Sequence, residues 1–157
     1  MLLTTMIIRT LLCRPKEIDA GEYKAREFDK DLIARHLSEA VQIPTVSMVG
    51  EFEGVDQPFY DYHAWLEKTY PLVHKTAQKT VINNYSLVYR FKGKDSSLLP
   101  GAFLAHQDVV PAPKEGWDYE PFGGTIDDGF IWGRGTQDMK GTMISLLEAT
   151  EKLLSEG

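Results

Sequence analysis

Cysteine is nearly absent from the 157 residues, with Cys13 the single instance. One thiol excludes an internal disulfide and every zinc site built on a cysteine pair, so a bound metal would have to rest on histidine and carboxylate donors. Long apolar runs are missing as well. No stretch reaches the ~20 apolar residues of a membrane span. The run from Met1 to Leu12 is broken by Arg9 and lacks both a basic start and a small-residue cleavage site. It reads as a strand or short helix that packs on the fold. Basic residues are in deficit: 17 Lys and Arg stand against 23 Asp and Glu, a formal net charge of −6 with a pI near 5.2. That excludes the basic face a nucleic-acid binder needs. No membrane partner is expected, and a cytoplasmic location is. What is present is ordinary for a globular protein, 43% hydrophobic and 25% charged, which excludes wholesale disorder.

The chain contains no repeat, low-complexity tract or interdomain linker. After a polar stretch from Pro15 to Ala25, Phe28, Leu32, Ile33, Leu37 and Val41 recur every three or four residues, which predicts an amphipathic helix closed before Pro44. A second helix is predicted from about Pro58 to Tyr70, with Asp56 placed to cap it. Alternation then takes over: Tyr85, Leu87, Tyr89 and Phe91 share one side of a predicted strand. Gly101 to Ala105 is continuously apolar, as a central strand covered on both faces would be. A Pro- and Gly-rich loop from Gln107 to Gly124 leads into a hairpin turning at Asp128-Gly129. Met139, Met143, Leu146, Leu147, Thr150 and Leu154 carry a last helix, with Thr136 the expected cap. Helices alternating with strands predict an α/β fold of three layers around a mostly parallel central sheet.

Two clusters could carry chemistry. His106-Gln107-Asp108 follows the predicted central strand, where open α/β sheets hold their ligands. In an extended segment His106 and Asp108 point to one side, and a carboxylate there can orient an imidazole that ligates metal. Taken alone, this is also a common way to begin a polar loop. Asp138 stands in Gly133-Arg134-Gly135-Thr136-Gln137-Asp138-Met139-Lys140-Gly141 at the expected start of the last helix. A simple helix-dipole role for that acid would require neither the surrounding glycines nor the flanking Arg and Lys. His36, His63 and His74 have no acid at metal spacing and are expected to be solvated or core-edge groups.

The stretch Phe103 to Pro111, then Gly116-Trp117, Pro121-Phe122, Asp128-Gly129 and Trp132 to Gly141, resembles in order and spacing the dizinc family of carboxypeptidase S, the aminoacylases, acetylornithine deacetylase and succinyl-diaminopimelate desuccinylase. With Cys13-Arg14-Pro15 and Gln42 to Ser47 upstream, the likeness is greatest to the carboxypeptidase S branch. The resemblance implies that His106 ligates one zinc, that Asp138 bridges two, and that Asp108 is the active-site acid orienting His106. Trp117 and Trp132 match positions that shape the surrounding loop and hairpin. The implied reaction is hydrolysis of the amide bond of an N-acyl amino acid or short peptide.

The resemblance also implies parts that these residues do not contain. The family's Glu-Glu pair, its remaining ligands and the lid domain through which it dimerises all lie further along than Gly157. Glu148 and Glu151 cannot replace the pair, since both lie on the last helix, about 15 and 20 Å of rise beyond Asp138. Residues 1–157 are therefore expected to be the N-terminal portion of an incomplete zinc-exopeptidase-like catalytic domain. Such a portion should bind zinc weakly, be inactive alone, and not form the family-type homodimer. The alternative is a non-catalytic truncated or binding domain with relic motifs.

Overall fold

A computed structural model describes residues 2–13, 25–47 and 56–157. Arg14, Pro15 and the polar stretch up to Lys24 lie outside the described residues. Helix α1 spans Leu2–Leu12, α2 Lys30–Gln42, α3 Asp56–Thr69, α4 Pro71–Thr76 and α5 Gly141–Glu156. The strands are β1 (Gln78–Ile82), β2 (Ser86–Arg90), β3 (Thr125–Asp127) and β4 (Phe130–Trp132).

Local chemistry sets the helix ends. The Asp29 carboxylate accepts from Leu32 N at 2.9 Å and caps α2, which closes at an extended Ile43 because the ring of Pro44 disfavours helical backbone before it. Pro71 opens α4, where its missing N–H costs nothing. The next two amides of α4, Leu72 N and Val73 N, donate to the two carboxylate oxygens of Glu151 on α5, at 2.9 and 2.8 Å. Helices α2 to α5 converge on a core of Ala40, Tyr62, Leu66, Tyr70, Val73 and Ile144, each exposed by no more than 1%. Leu87 and Tyr89 of β2 pack against it while Ser86, Val88 and Arg90 face out, the alternation the sequence predicts. Polar groups at the core edge are paired: Tyr70 Oη donates to Glu148 Oε1 at 2.9 Å, and His36 Nδ1 meets the same oxygen at 2.5 Å.

Four expectations differ from what the described residues show. The mostly parallel central sheet is not formed among the described residues, whose strands make two antiparallel hairpins, β1 with β2 and β3 with β4. The one parallel pairing among the described residues is the isolated bridge between Val46 and Val109. Gly101 to Ala105 lies outside any strand, with Phe103 84% and Leu104 81% exposed, because no described segment lies alongside to accept its backbone hydrogen bonds. Thr136 caps nothing: its hydroxyl donates to Gly133 O at 3.0 Å, and α5 starts at Gly141 after a kinked turn. Finally, α1 is a helix with no buried residue and does not pack on the fold.

Strand β1 had no sequence forecast. Its turn signal was Asn83-Asn84, both left-handed with φ of 49° and 67°, conformations that asparagine tolerates. The Asp128-Gly129 turn forms as expected.

Candidate metal centre

The first motif loop is pinned to residues 45–47 through the Val46–Val109 bridge. Val109 N donates to Thr45 O at 2.9 Å and Ser47 N to Val109 O at 3.0 Å, while the buried Thr45 hydroxyl donates to Gln107 O at 2.5 Å. This clamp keeps residues 106 to 109 extended, so their side chains alternate. Gln107 turns inward, donating to Tyr85 O at 2.5 Å, with its amide oxygen 3.2 Å from His63 Nε2. His106 and Asp108 turn the other way. Ser47 Oγ donates to Asp108 Oδ2 at 2.6 Å, which fixes that carboxylate with its other oxygen 3.3 Å from His106 Nδ1.

Asp138 arrives on the second loop. Gly135 has φ of 88°, and a Cβ there would lie 2.6 Å from Val109 Cγ1, so only glycine lets this loop sit against the first. Arg134 N donates to Pro121 O at 2.6 Å, and its guanidinium lies 5.0 Å from the Trp117 ring centre, tying down the intervening loop. The buried Lys140 anchors the far side, donating from Nζ to Ala40 O at 2.8 Å and Ile43 O at 2.6 Å. These carbonyls lie at the carboxyl end of α2, where the last turn lacks amide partners. Between the anchors Asp138 is extended, at φ −121° and ψ 95°, and its peptide to Met139 is cis.

The result is a direct contact of His106 Nε2 with Asp138 Oδ1 at 2.8 Å, while His106 Nδ1 lies 2.9 Å from the Asp108 carbonyl oxygen. A carbonyl can only accept, so Nδ1 carries a proton, and Nε2 can meet a carboxylate only if it is protonated too. Partial burial works against the charged ring. The hydrogen bonds to Asp138 and the Asp108 carbonyl, with both carboxylate charges, outweigh it and raise the His106 pKa above its ordinary value.

A cation can take the place of that Nε2 proton. The donors suit zinc, imidazole nitrogen and carboxylate oxygen, with the second ring nitrogen held as a metal-ligating histidine requires. Tetrahedral zinc would hold two such donors ~3.3 Å apart, so the contact would need to open by about half an ångström. The Asp138 side chain, 86% exposed, has room to do this. Among the described residues no group of three His, Cys, Asp or Glu side chains is arranged to hold a metal. Glu148 and Glu151 are committed elsewhere, to His36 with Tyr70 and to the first turn of α4. The remaining histidines also have structural partners: His74 Nδ1 lies 2.8 Å from Tyr70 O, and Tyr89 Oη lies 2.8 Å from His74 Nε2.

Sequence reasoning missed Ser47, Thr45 and Lys140. Ser47 bonds a residue 61 positions away and Lys140 reaches back 100, so no local pattern could reveal either.

Mixed helices and strands with two loops converging in this way are the fold of an α/β peptidase domain. The fold is shared with human carnosine dipeptidase 1, at a TM-score of 0.55 and 22% identity over 80% of this chain and 28% of that one. Residues 102–157 match the model of Peptidase family M20/M25/M40. A probable carboxypeptidase S-like protein of Dictyostelium discoideum is 44% identical over 128 residues, 80% of this chain and 25% of its own length. Carboxypeptidase S of Saccharomyces cerevisiae is 40% identical over 131 residues, 77% of this chain and 23% of its own. The human N-fatty-acyl-amino acid synthase/hydrolase is 42% identical over 120 residues, 75% of this chain and 24% of its own. The chain belongs to Peptidase family M20/M25/M40, and it spans about a quarter of the length of these relatives.

Proposed function

We propose that residues 1–157 form the N-terminal portion of the zinc-binding catalytic domain of a dizinc hydrolase that cleaves amide bonds of N-acyl amino acids or short peptides. In this reading the complete domain has the three-layer, mostly parallel architecture, and residues outside this sequence supply the remaining strands and ligands. The observation that carries it is the His106–Asp138 contact, backed by Asp108 and Ser47. The names of the relatives, a carboxypeptidase and an N-fatty-acyl-amino acid hydrolase among them, support the substrate class.

His106 would hold one ion through Nε2, and Asp138 would present one carboxylate oxygen to each of two. Bound zinc would supply a Lewis acid for the scissile carbonyl and a water acidic enough to act as a nucleophile near neutral pH. Asp108 accepts no substrate proton in this scheme; held by Ser47, it keeps the His106 ring oriented and basic. Among the described residues no further carboxylate stands beside His106 and Asp138 to serve as general base, so the 157-residue chain is expected to be inactive alone.

Incubation with zinc and N-acyl amino acids tests this. The expected result is no turnover and weak zinc uptake that disappears in His106→Ala. Turnover dependent on Asp138 would overturn the claim of incompleteness. A second reading, a non-catalytic domain with relic motifs, is favoured by the lack of a third donor among the described residues. It predicts that zinc uptake is the same in wild type, His106→Ala and Asp138→Ala.

A further inference from the structure

Helix α1 is where sequence and structure part most sharply. A run as apolar as Leu2–Leu12 is expected to find a core, yet every residue of it is exposed. Its side chains are not distributed evenly. At 100° per residue, Leu3, Ile7 and Leu11 form one ridge and Ile8 and Leu12 an adjacent one, with Thr4 between them, while Arg9 lies opposite, flanked by Thr5, Leu2 and Met6. Eleven residues rise about 16 Å, well short of the ~30 Å of a bilayer's hydrocarbon core. No described helix is long and apolar enough to cross a membrane. Such a helix suits the plane of an interface.

Charge indicates which interface. Residues 1–16 contain Arg9, Arg14 and Lys16 but none of the 23 acidic residues, so the rest of the chain is strongly acidic. An anionic lipid surface attracts the first segment and repels the body, which orients the molecule with α1 down. A second copy of the chain fits less well, because pairing two α1 helices would bring together two cationic segments and two acidic bodies.

We propose that α1 is a membrane-surface helix that lays its Leu3, Ile7, Ile8 and Leu11 face into an anionic lipid interface. This departs from the sequence expectation of no membrane partner, and the reason is the unpacked apolar face.

Co-sedimentation of the full chain with vesicles of phosphatidylcholine, alone or containing phosphatidylserine, tests it. Wild type should bind the anionic vesicles more strongly. Arg9→Gln should weaken that binding about fivefold, with little change on phosphatidylcholine alone. Ile7→Asp combined with Leu11→Asp should abolish sedimentation with both while leaving the urea midpoint unchanged, since neither side chain is buried. The proposal is overturned if wild type binds neither vesicle or if the double variant binds as wild type does. A lower urea midpoint in that variant would also overturn it, by showing that α1 packs on the body. A dimer in sedimentation equilibrium that the double variant breaks would overturn it in favour of a second copy.

Discussion

At the scale of the residue, the centre depends on one proton and the groups that position it. His106 has its pKa raised, so the folded state holds that proton more tightly than the unfolded chain does. The resulting stabilisation is fully present below the ordinary histidine value of about 6.5 and is lost as pH rises through the higher folded value. Asp138→Asn should move the His106 titration to lower pH, as read by proton NMR of the ring. Zinc added near neutral pH should displace the proton and abolish that titration. Asp108→Asn should weaken zinc uptake by about 10 to 100-fold, the usual cost of losing the group that orients a ligand histidine, as measured by competition with a chromophoric chelator. The shared direction of His106 and Asp108 was legible because strand alternation is a local property, and Asp138 stood out by its glycine-rich surroundings. Ser47 was not, since its role exists only once residues 45–47 lie beside 107–109.

At the scale of the element, helix ends are finished by side chains from distant segments. Lys140 supplies donors to Ala40 O and Ile43 O and lies 4.8 Å from the Tyr62 ring centre. Burial pushes its pKa down to about 7, where a neutral amine still offers two N–H groups for the two carbonyls. The sign of the pH effect follows. Between pH 7 and about 10 the unfolded chain holds a proton on this lysine that the folded chain has released, so this group makes stability rise with pH across that window. Lys140→Met should remove that dependence. It should also cost about 2 to 4 kcal/mol in urea unfolding, because two buried carbonyls lose their partners. Gly135→Ala should be destabilising too, since its Cβ meets Val109. The helices α2, α3 and α5 and the β3–β4 turn were legible from periodicity and Asp-Gly. The start of α5 was not, because Gly133 to Lys140 bends to serve contacts with Pro121, Val109 and α2 rather than its own hydrogen-bond ladder.

At the scale of the whole molecule, apolar surface is left uncovered. Leu98, Leu99, Phe103 and Leu104 are all strongly exposed, and the segment they occupy pairs with no described strand. An extended apolar segment with free backbone groups recruits other chains. The isolated protein should therefore self-associate with rising concentration, and Phe103→Lys with Leu104→Lys should suppress it, as followed by static light scattering. The helical core should be unaffected, because neither side chain belongs to it.

The sequence by itself determined what depends on neighbours in the chain: the apolar faces of α2, α3 and α5, the alternation of β2, the Asp128-Gly129 turn, and the His-x-Asp and Gly-rich motifs. The tertiary structure alone decided the pairing of Thr45 to Ser47 with Gln107 to Val109, the Lys140 anchor, the unpartnered state of Gly101 to Ala105 and the exposure of α1. The reason is physical. Periodicity and turn preference act over a few residues, whereas a hydrogen bond spanning 61 or 100 positions, or an apolar face left without a partner, exists only after the chain has closed on itself.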